Sequence, residues 1–340
     1  MTAKPTPDAL LPADALFDPG EPAAPDLPVC DHYCGVELRM RKALALQAEL
    51  GPVFDITLDC EDGAPVGAEA EHAHLCAELA LSADNRFGRV GARVHPVDHP
   101  SFAADVETLV GRAGDRLAFL MVPKPRHLAD LQQAVAHIDH VARSHGRGLD
   151  LPVHALVETH GALRDVWAMA ELPRVQSLSF GLMDFVSAHR GAIPQTAMSV
   201  KGQFEHPLVV RAKLEIAAAC HAAGKVPSHC VVTEFKDETA LAAAARKASR
   251  EFGYTRMWSI HPAQVRPIVE AFAPSISEVD EAVEIVLAAQ AAQWAPIRHR
   301  DTLHDRASYR YFWQVILRAR RTGQPLPAET ERALFGPAAG

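Results

Sequence analysis

No stretch of the 340 residues approaches about 18 consecutive apolar positions, so no transmembrane helix is expected. The N-terminus has a lone early Lys4 followed by Pro, Asp and Ala, which is not a signal-peptide pattern. Basic charge is not in surplus. The 34 Lys and Arg face 42 Asp and Glu, and the net charge of −8 argues against nucleic acid or an anionic membrane as the main partner. Cysteine is sparse: Cys30, Cys34, Cys60, Cys76, Cys220 and Cys230 are too scattered for a disulfide framework. No Cys-x-x-Cys pair is present for a zinc or redox site, and the six read as reduced core thiols of a cytoplasmic protein. His72 and His74, two apart on a helix, point to different faces and make no metal site together. No Gly-x-Gly-x-x-Gly follows an early strand, which disfavours a doubly wound dinucleotide fold.

What is present is a rhythm. Residues 1–28 carry Pro5, Pro7, Pro12, Pro19, Pro22, Pro25 and Pro28 among Ala and Asp, and read as an arm, disordered or draped over a neighbour. From Val29 short β-rich runs alternate with amphipathic helices. Strands are expected near 29–34, 53–60, 89–95, 116–123, 151–158, 175–181, 226–233 and 255–260. Helices fall between them, among them 37–50, 66–82, 162–171 and 237–252, the last capped by Asp237 and stopped by Gly253. Eight such units over 29–274 predict an α/β fold, a (β/α)8 TIM barrel with extra C-terminal helices. Residues 275–340 read as a helical extension serving as a lid or subunit contact. Its run Tyr309–Trp313 is too apolar for water and is expected on the barrel or a neighbouring subunit.

A barrel's chemistry sits where strands end and βα loops begin. Two neighbouring runs end in acids, Val153–Val157 at Glu158 and Val175–Gly181 near Asp184. A βαβ unit makes them parallel neighbours, so both carboxylates emerge at one end of the sheet. They would repel unless a cation intervenes, which suits a hard ion such as Mg²⁺; helix caps, or partners of Arg93 and Lys124, are the structural alternatives. Asp59, Glu61 and Asp62 crowd the end of the second strand. Arg93 offers a planar fork to a substrate carboxylate, or a salt bridge to Glu61 or Asp62. Lys124, between two prolines, balances charge better than it would serve as a Schiff base. His95, His154, His160 and His261 are candidate acid/base groups, each more simply a satisfied polar residue.

Six segments, in order, resemble the HpcH/HpaI aldolase and citrate lyase beta-subunit family, from about Val29 to Ala292. They are Asp59-Cys60-Glu61-Asp62-Gly63-Ala64, Ala92-Arg93-Val94-His95-Pro96, Val122-Pro123-Lys124, Leu156-Val157-Glu158-Thr159, Phe180-Gly181-Leu182-Met183-Asp184-Phe185 and Ser259-Ile260-His261-Pro262-Ala263-Gln264-Val265. The resemblance implies a metal-dependent carbon–carbon lyase acting on a 3-hydroxyacyl thioester or hydroxy acid through a metal-stabilised enolate. It places Mg²⁺ on Glu158 and Asp184, and the substrate on Arg93 and the Gly181-Leu182-Met183 edge. It gives Glu61, Asp62 and Lys124 catalytic parts beside Arg93. It also implies an oxoacid or acyl-CoA or acyl-carrier thioester as partner, and a homo-oligomer, trimeric or hexameric. Two departures stand out. Val29–Gly35 lacks the Arg-Ser that precedes the family's first strand, and Asp301 or Asp305 is the candidate for the acid of its C-terminal loop. A CoA thioesterase, a plain oxoacid aldolase, or a non-catalytic binding homologue acting as sensor or assembly subunit are the alternatives.

Overall fold

The structure is a computed structural model describing residues 10–18, 20–21, 24–148 and 150–337. Eight short strands follow one another, β1 (Cys30–Cys34), β2 (Phe54–Asp59), β3 (Val90–Arg93), β4 (Leu120–Val122), β5 (Val153–Val157), β6 (Val175–Phe180), β7 (Val226–His229) and β8 (Arg256–Ser259). Each pairs in parallel with the next, and β8 returns to β1 with Cys30 opposite Met257, so the sheet closes into a (β/α)8 barrel. Seven of the eight strands are buried throughout, as a parallel sheet covered by helices requires.

All eight expected strands are present, shorter by a residue or more in each case. The helix expected over 162–171 divides into His160–Arg164 and Val166–Ala170. The break falls at Asp165, whose carboxylate accepts the Leu128 N–H at 3.0 Å and pairs with Arg164. Helix Glu238–Glu251 begins as its sequence demands: Asp237 accepts the Ala240 N–H at 2.9 Å, and Gly253 takes the left-handed φ of 73° just past its end.

The N-terminal end of the barrel interior is charged. Arg256 opens β8 and is fully buried, with Nη1 donating to Asp55 Oδ2 at 2.6 Å and to the Pro28 carbonyl at 2.9 Å. Its Nη2 lies 3.0 Å from Asp31 Oδ2, and Asp31 also accepts the Thr57 hydroxyl at 2.7 Å. Burial lifts the Asp55 carboxyl to about 6 against the pull of Arg256.

The chain divides into two units, Ala24–Phe272 with the barrel, and a second formed by Ala273–Gly340 with the residues before Ala24. In the second unit, Ser275 and Glu278 make a capping box that starts helix Ile276–Ala291. A hairpin of β9 (Ile297–His299) and β10 (Thr302–His304) follows, then helices Arg306–Arg321 and Ala328–Phe335. The described part of the proline-rich arm is not loose here: Pro12–Leu16 is helical, and Leu16 is buried with Ile285, Tyr309, Trp313 and Leu334. Tyr309 and Trp313 of the aromatic run pack in the core of this unit, while Tyr311 is 59% exposed. Among the described residues no helix is long and apolar enough to cross a membrane, and all six cysteines are buried and free.

Candidate active site

Pleating decides which residues reach the C-terminal mouth of the barrel. Along β2 Asp59 turns inward, and along β3 Arg93, its register partner, does the same. Arg93 donates from Nε and Nη2 to the two oxygens of Asp59 at 2.7 and 2.5 Å, a bidentate pair nearly closed to solvent. Its Nη1 lies 3.0 Å from Glu61 Oε2. The salt bridge expected to Glu61 or Asp62 is thus made chiefly to Asp59, with Glu61 second. Two of the five guanidinium N–H groups are spent on hydrogen bonds to Asp59, which leaves donors for a ligand.

The loop after β2 folds back because residue 63 is glycine. Gly63 N–H donates to Asp59 Oδ2 at 2.9 Å, and a Cβ there would come within 2.3 Å of that oxygen. This return sets Glu61 and Asp62 beside Lys124, whose ammonium pairs with Glu61, with Asp62 Oδ2 at 2.7 Å, and with Asp184 Oδ1 at 3.9 Å. Partial burial opposes the charge, but hydrogen bonds to Asp62 and Glu61 hold the ammonium well above its ordinary value. That is a charge-balancing lysine, not an amine poised for a Schiff base. Its backbone is in the left-handed region, φ 49°, an unusual state for a residue followed by proline.

Glu158 follows β5 and is 3% exposed. Oε1 accepts the Lys124 backbone N–H at 2.8 Å. The other oxygen faces Gly181, where a Cβ would stand 2.1 Å from Oε2, so glycine is required for the carboxylate to lie where it does. Burial first, and the nearby Asp184 second, push the Glu158 carboxyl up to about 8. Asp184 lies in the first turn of helix Leu182–Ser187, and its side chain is 43% exposed. Neither acid caps a helix: Thr159 and Gly181 hold the cap positions. The donor set is oxygen only, one carboxylate buried and one open to the mouth, with the Gly181 cradle keeping space beside Glu158. These residues fit a hard divalent ion that keeps water or ligand oxygens in its shell.

The other expected residues are scattered. Leu182 is buried in the barrel core, while Met183 is half-buried beside it. His95 pairs with Asp105 at 2.6 Å and His160 bonds the Ala188 carbonyl, so these two are satisfied polar residues. His154 instead stacks on Phe119 inside the barrel, with both ring nitrogens buried and unpartnered. Asp301 lies in the turn of the β9–β10 hairpin in the second unit, 96% exposed and paired with Arg298. Asp305 caps helix Arg306–Arg321.

Two mouth residues escaped the sequence reading. Tyr33 of β1 stacks on Trp258 of β8 at 4.3 Å between ring centroids, over a floor of Met121 and Leu156. The Arg93 guanidinium lies 5.4 Å from the Tyr33 ring. The Tyr33 hydroxyl and Trp258 Nε1 are both buried without a hydrogen-bond partner, which is costly unless something supplies one. The readable signal was an aromatic residue near the end of the first strand, in a segment that departs from the family pattern.

A sequence profile described as HpcH/HpaI aldolase/citrate lyase matches residues 51–262, more than half of the chain. The L-malyl-CoA/beta-methylmalyl-CoA lyase of Cereibacter sphaeroides is 29% identical over 251 residues, 70% of this chain and 77% of that one. A crystal structure of a citrate lyase from Burkholderia xenovorans is 57% identical, with a TM-score of 0.83 over 96% of this chain and 99% of that one. The Mycobacterium tuberculosis protein CitE, solved with magnesium, acetoacetate and coenzyme A, is 22% identical and shares the fold, with a TM-score of 0.64 over 87% of this chain and 98% of that one.

Proposed function

The chain belongs to the HpcH/HpaI aldolase/citrate lyase family of carbon–carbon lyases, and we propose that it cleaves or forms a 3-hydroxyacyl-CoA thioester with Mg²⁺ held by Glu158 and Asp184. One observation carries this reading: five carboxylates, Asp59, Glu61, Asp62, Glu158 and Asp184, surround two cations, Arg93 and Lys124, at the mouth. The surplus is negative and partly desolvated, so a divalent cation is the missing charge. When bound, the ion supplies Lewis acidity toward the oxygen on which negative charge gathers as the carbon–carbon bond breaks.

The residues do the rest. Asp59 fixes the Arg93 fork, so its remaining N–H groups meet a carboxylate or enolate oxygen without rearrangement. Glu61 and Asp62 hold the Lys124 ammonium over the site, where it offsets anionic charge. Gly181, Leu182 and Met183 form the edge beside Glu158, and backbone there can approach a ligand because no Cβ intervenes at position 181. The unpartnered Tyr33 hydroxyl, beside Arg93, supplies a further hydrogen bond to a ligand. We assign Asp301, exposed on its hairpin, to proton transfer in an assembly of several copies.

The names of relatives support the thioester: a malyl-CoA lyase in sequence and, in fold, a protein holding magnesium, acetoacetate and coenzyme A. Purified protein with Mg²⁺ is expected to cleave at least one of malyl, citramalyl, citryl or hydroxymethylglutaryl thioesters. Activity disappears with chelator, and Asp301→Ala lowers kcat by about 10²–10⁴ with KM little changed. Binding of oxoacids without cleavage of any thioester would leave the non-catalytic reading in its place.

A further inference from the structure

The end of β2 faces two ways. Asp59 turns into the barrel onto Arg93, and Cys60 turns outward against helix Glu69–Leu81. There its sulfur lies 3.7 Å from Cys76 Sγ. One turn earlier on the same helix His72 points its Nε2 at the Asp59 carbonyl oxygen, 2.9 Å away, with its ring close to the Cys76 thiol. One donor atom from each of the three lies within 4.8 Å of the other two, and all three residues are buried.

This spacing has a metal's geometry. Two thiolates at about 2.3 Å from a tetrahedral zinc stand about 3.8 Å apart, whereas a disulfide needs its sulfurs at about 2.05 Å. The imidazole is already oriented as a ligand would be: Nε2 is turned to a backbone carbonyl, which leaves Nδ1 for the sulfurs. The hydrogen bond from Cys60, and the nearby His72, lower the Cys76 thiol, while the same bond and burial raise Cys60, so an ion bound here displaces the Cys60 proton. We propose that Cys60, His72 and Cys76 form a site for a soft d¹⁰ ion, Zn²⁺, separate from the oxygen pair at the mouth. Two sulfurs and a nitrogen select against Mg²⁺ as firmly as Glu158 and Asp184 select for it. An ion there ties β2 to its following helix at the residue between Asp59 and Glu61. It therefore positions the two acids that hold Arg93.

The test is a Zn²⁺ titration of reduced, metal-stripped protein against a chromophoric chelator, with Mg²⁺ in large excess throughout. One equivalent per chain is expected, retained by Glu158→Gln and Asp184→Asn. Cys60→Ser and Cys76→Ser weaken it by at least about 100-fold, and His72→Gln by about 10–100-fold. Cd²⁺ in place of Zn²⁺ gives a thiolate charge-transfer band that the two Cys variants lack. Protection of Cys60 and Cys76 from alkylation by Zn²⁺ in the unaltered chain reads the same site without a substitution. Failure to bind in excess Mg²⁺, binding unchanged in Cys60→Ser, or undiminished alkylation of both thiols would overturn the proposal. So would recovery of the fresh protein with Cys60 and Cys76 already joined as a disulfide, which would make them a redox pair instead.

Discussion

At one end of the barrel Arg256 lies between Asp31 and Asp55, fully buried, its charge shared by two acids that have few other partners. At the other end Arg93 is also clamped by two acids, Asp59 and Glu61, yet three further carboxylates share the mouth, and two of them, Asp62 and Asp184, are 58% and 43% exposed. The first cluster is nearly balanced and closed, so it behaves as structure. The second is unbalanced and open, so it behaves as a receptor for charge. The same pairing of arginine with aspartate therefore means different things at the two ends, and the surrounding carboxylates decide which.

Breaking the balanced end should have the largest effect on stability. Arg256→Leu leaves two desolvated carboxylates without a counterion and is expected to cost about 3–5 kcal/mol, measured by urea denaturation. Mg²⁺ affinity of the folded variant stays unchanged; a variant as stable as the parent would remove the distinction. At the open end the effect is on binding. Glu158→Gln should lower Mg²⁺ affinity by more than about 100-fold, read by calorimetric titration, with little loss of stability in chelator.

The same residue gives the comparison a pH signature. The folded Glu158 carboxyl sits at about 8, above the 4.5 of an ordinary glutamate. A carboxyl raised by folding favours the folded state below its unfolded value, and that contribution is lost as pH rises through its folded value. Metal-free protein should therefore lose stability between about pH 4.5 and pH 8, as followed by scanning calorimetry. Mg²⁺ binds the ionised form, so it should flatten this slope, and Glu158→Gln should abolish it. An unchanged slope in the variant would assign the loss to other groups. The smallest effect is expected at Tyr33→Phe, which removes a hydroxyl buried without a protein partner. Stability holds or rises slightly, while thioester KM rises by a factor equivalent to about 1 kcal/mol.

How much of this was legible follows from the range of the interactions. Strand ends were readable because apolar runs of a parallel sheet stop where polar residues begin, which placed Asp59, Arg93, Lys124, Glu158 and Asp184 at one mouth. The choice of partner was not: Arg93 prefers Asp59 over Asp62 because pleating turns alternate residues of β2 inward, and a shift of one residue reverses that. Arg256 and Asp55 are 201 positions apart, so only closure of the barrel makes them a pair. The His72–Cys76 spacing was visible as one helical turn, but Cys60 joins them only through the packing of β2 on its helix. In the aromatic run Tyr309–Trp313, Tyr309 and Trp313 are buried while Tyr311 is 59% exposed. What hid its place was the proline-rich arm, whose Leu16 supplies part of the cover.

Lys124 meets the two acids proposed to hold the metal through two different atoms. Its amide holds Glu158 by a proton that cannot dissociate, and its ammonium reaches Asp184 at the end of four rotatable carbons. A left-handed backbone ahead of Pro125 is the strain that lets one residue do both. Glycine would occupy that backbone at lower energy and keep the amide contact, yet would leave the acids of the mouth without their ammonium. Position 124 is thus a place where the chain forgoes conformational comfort in order to keep a removable counter-charge next to a permanent one.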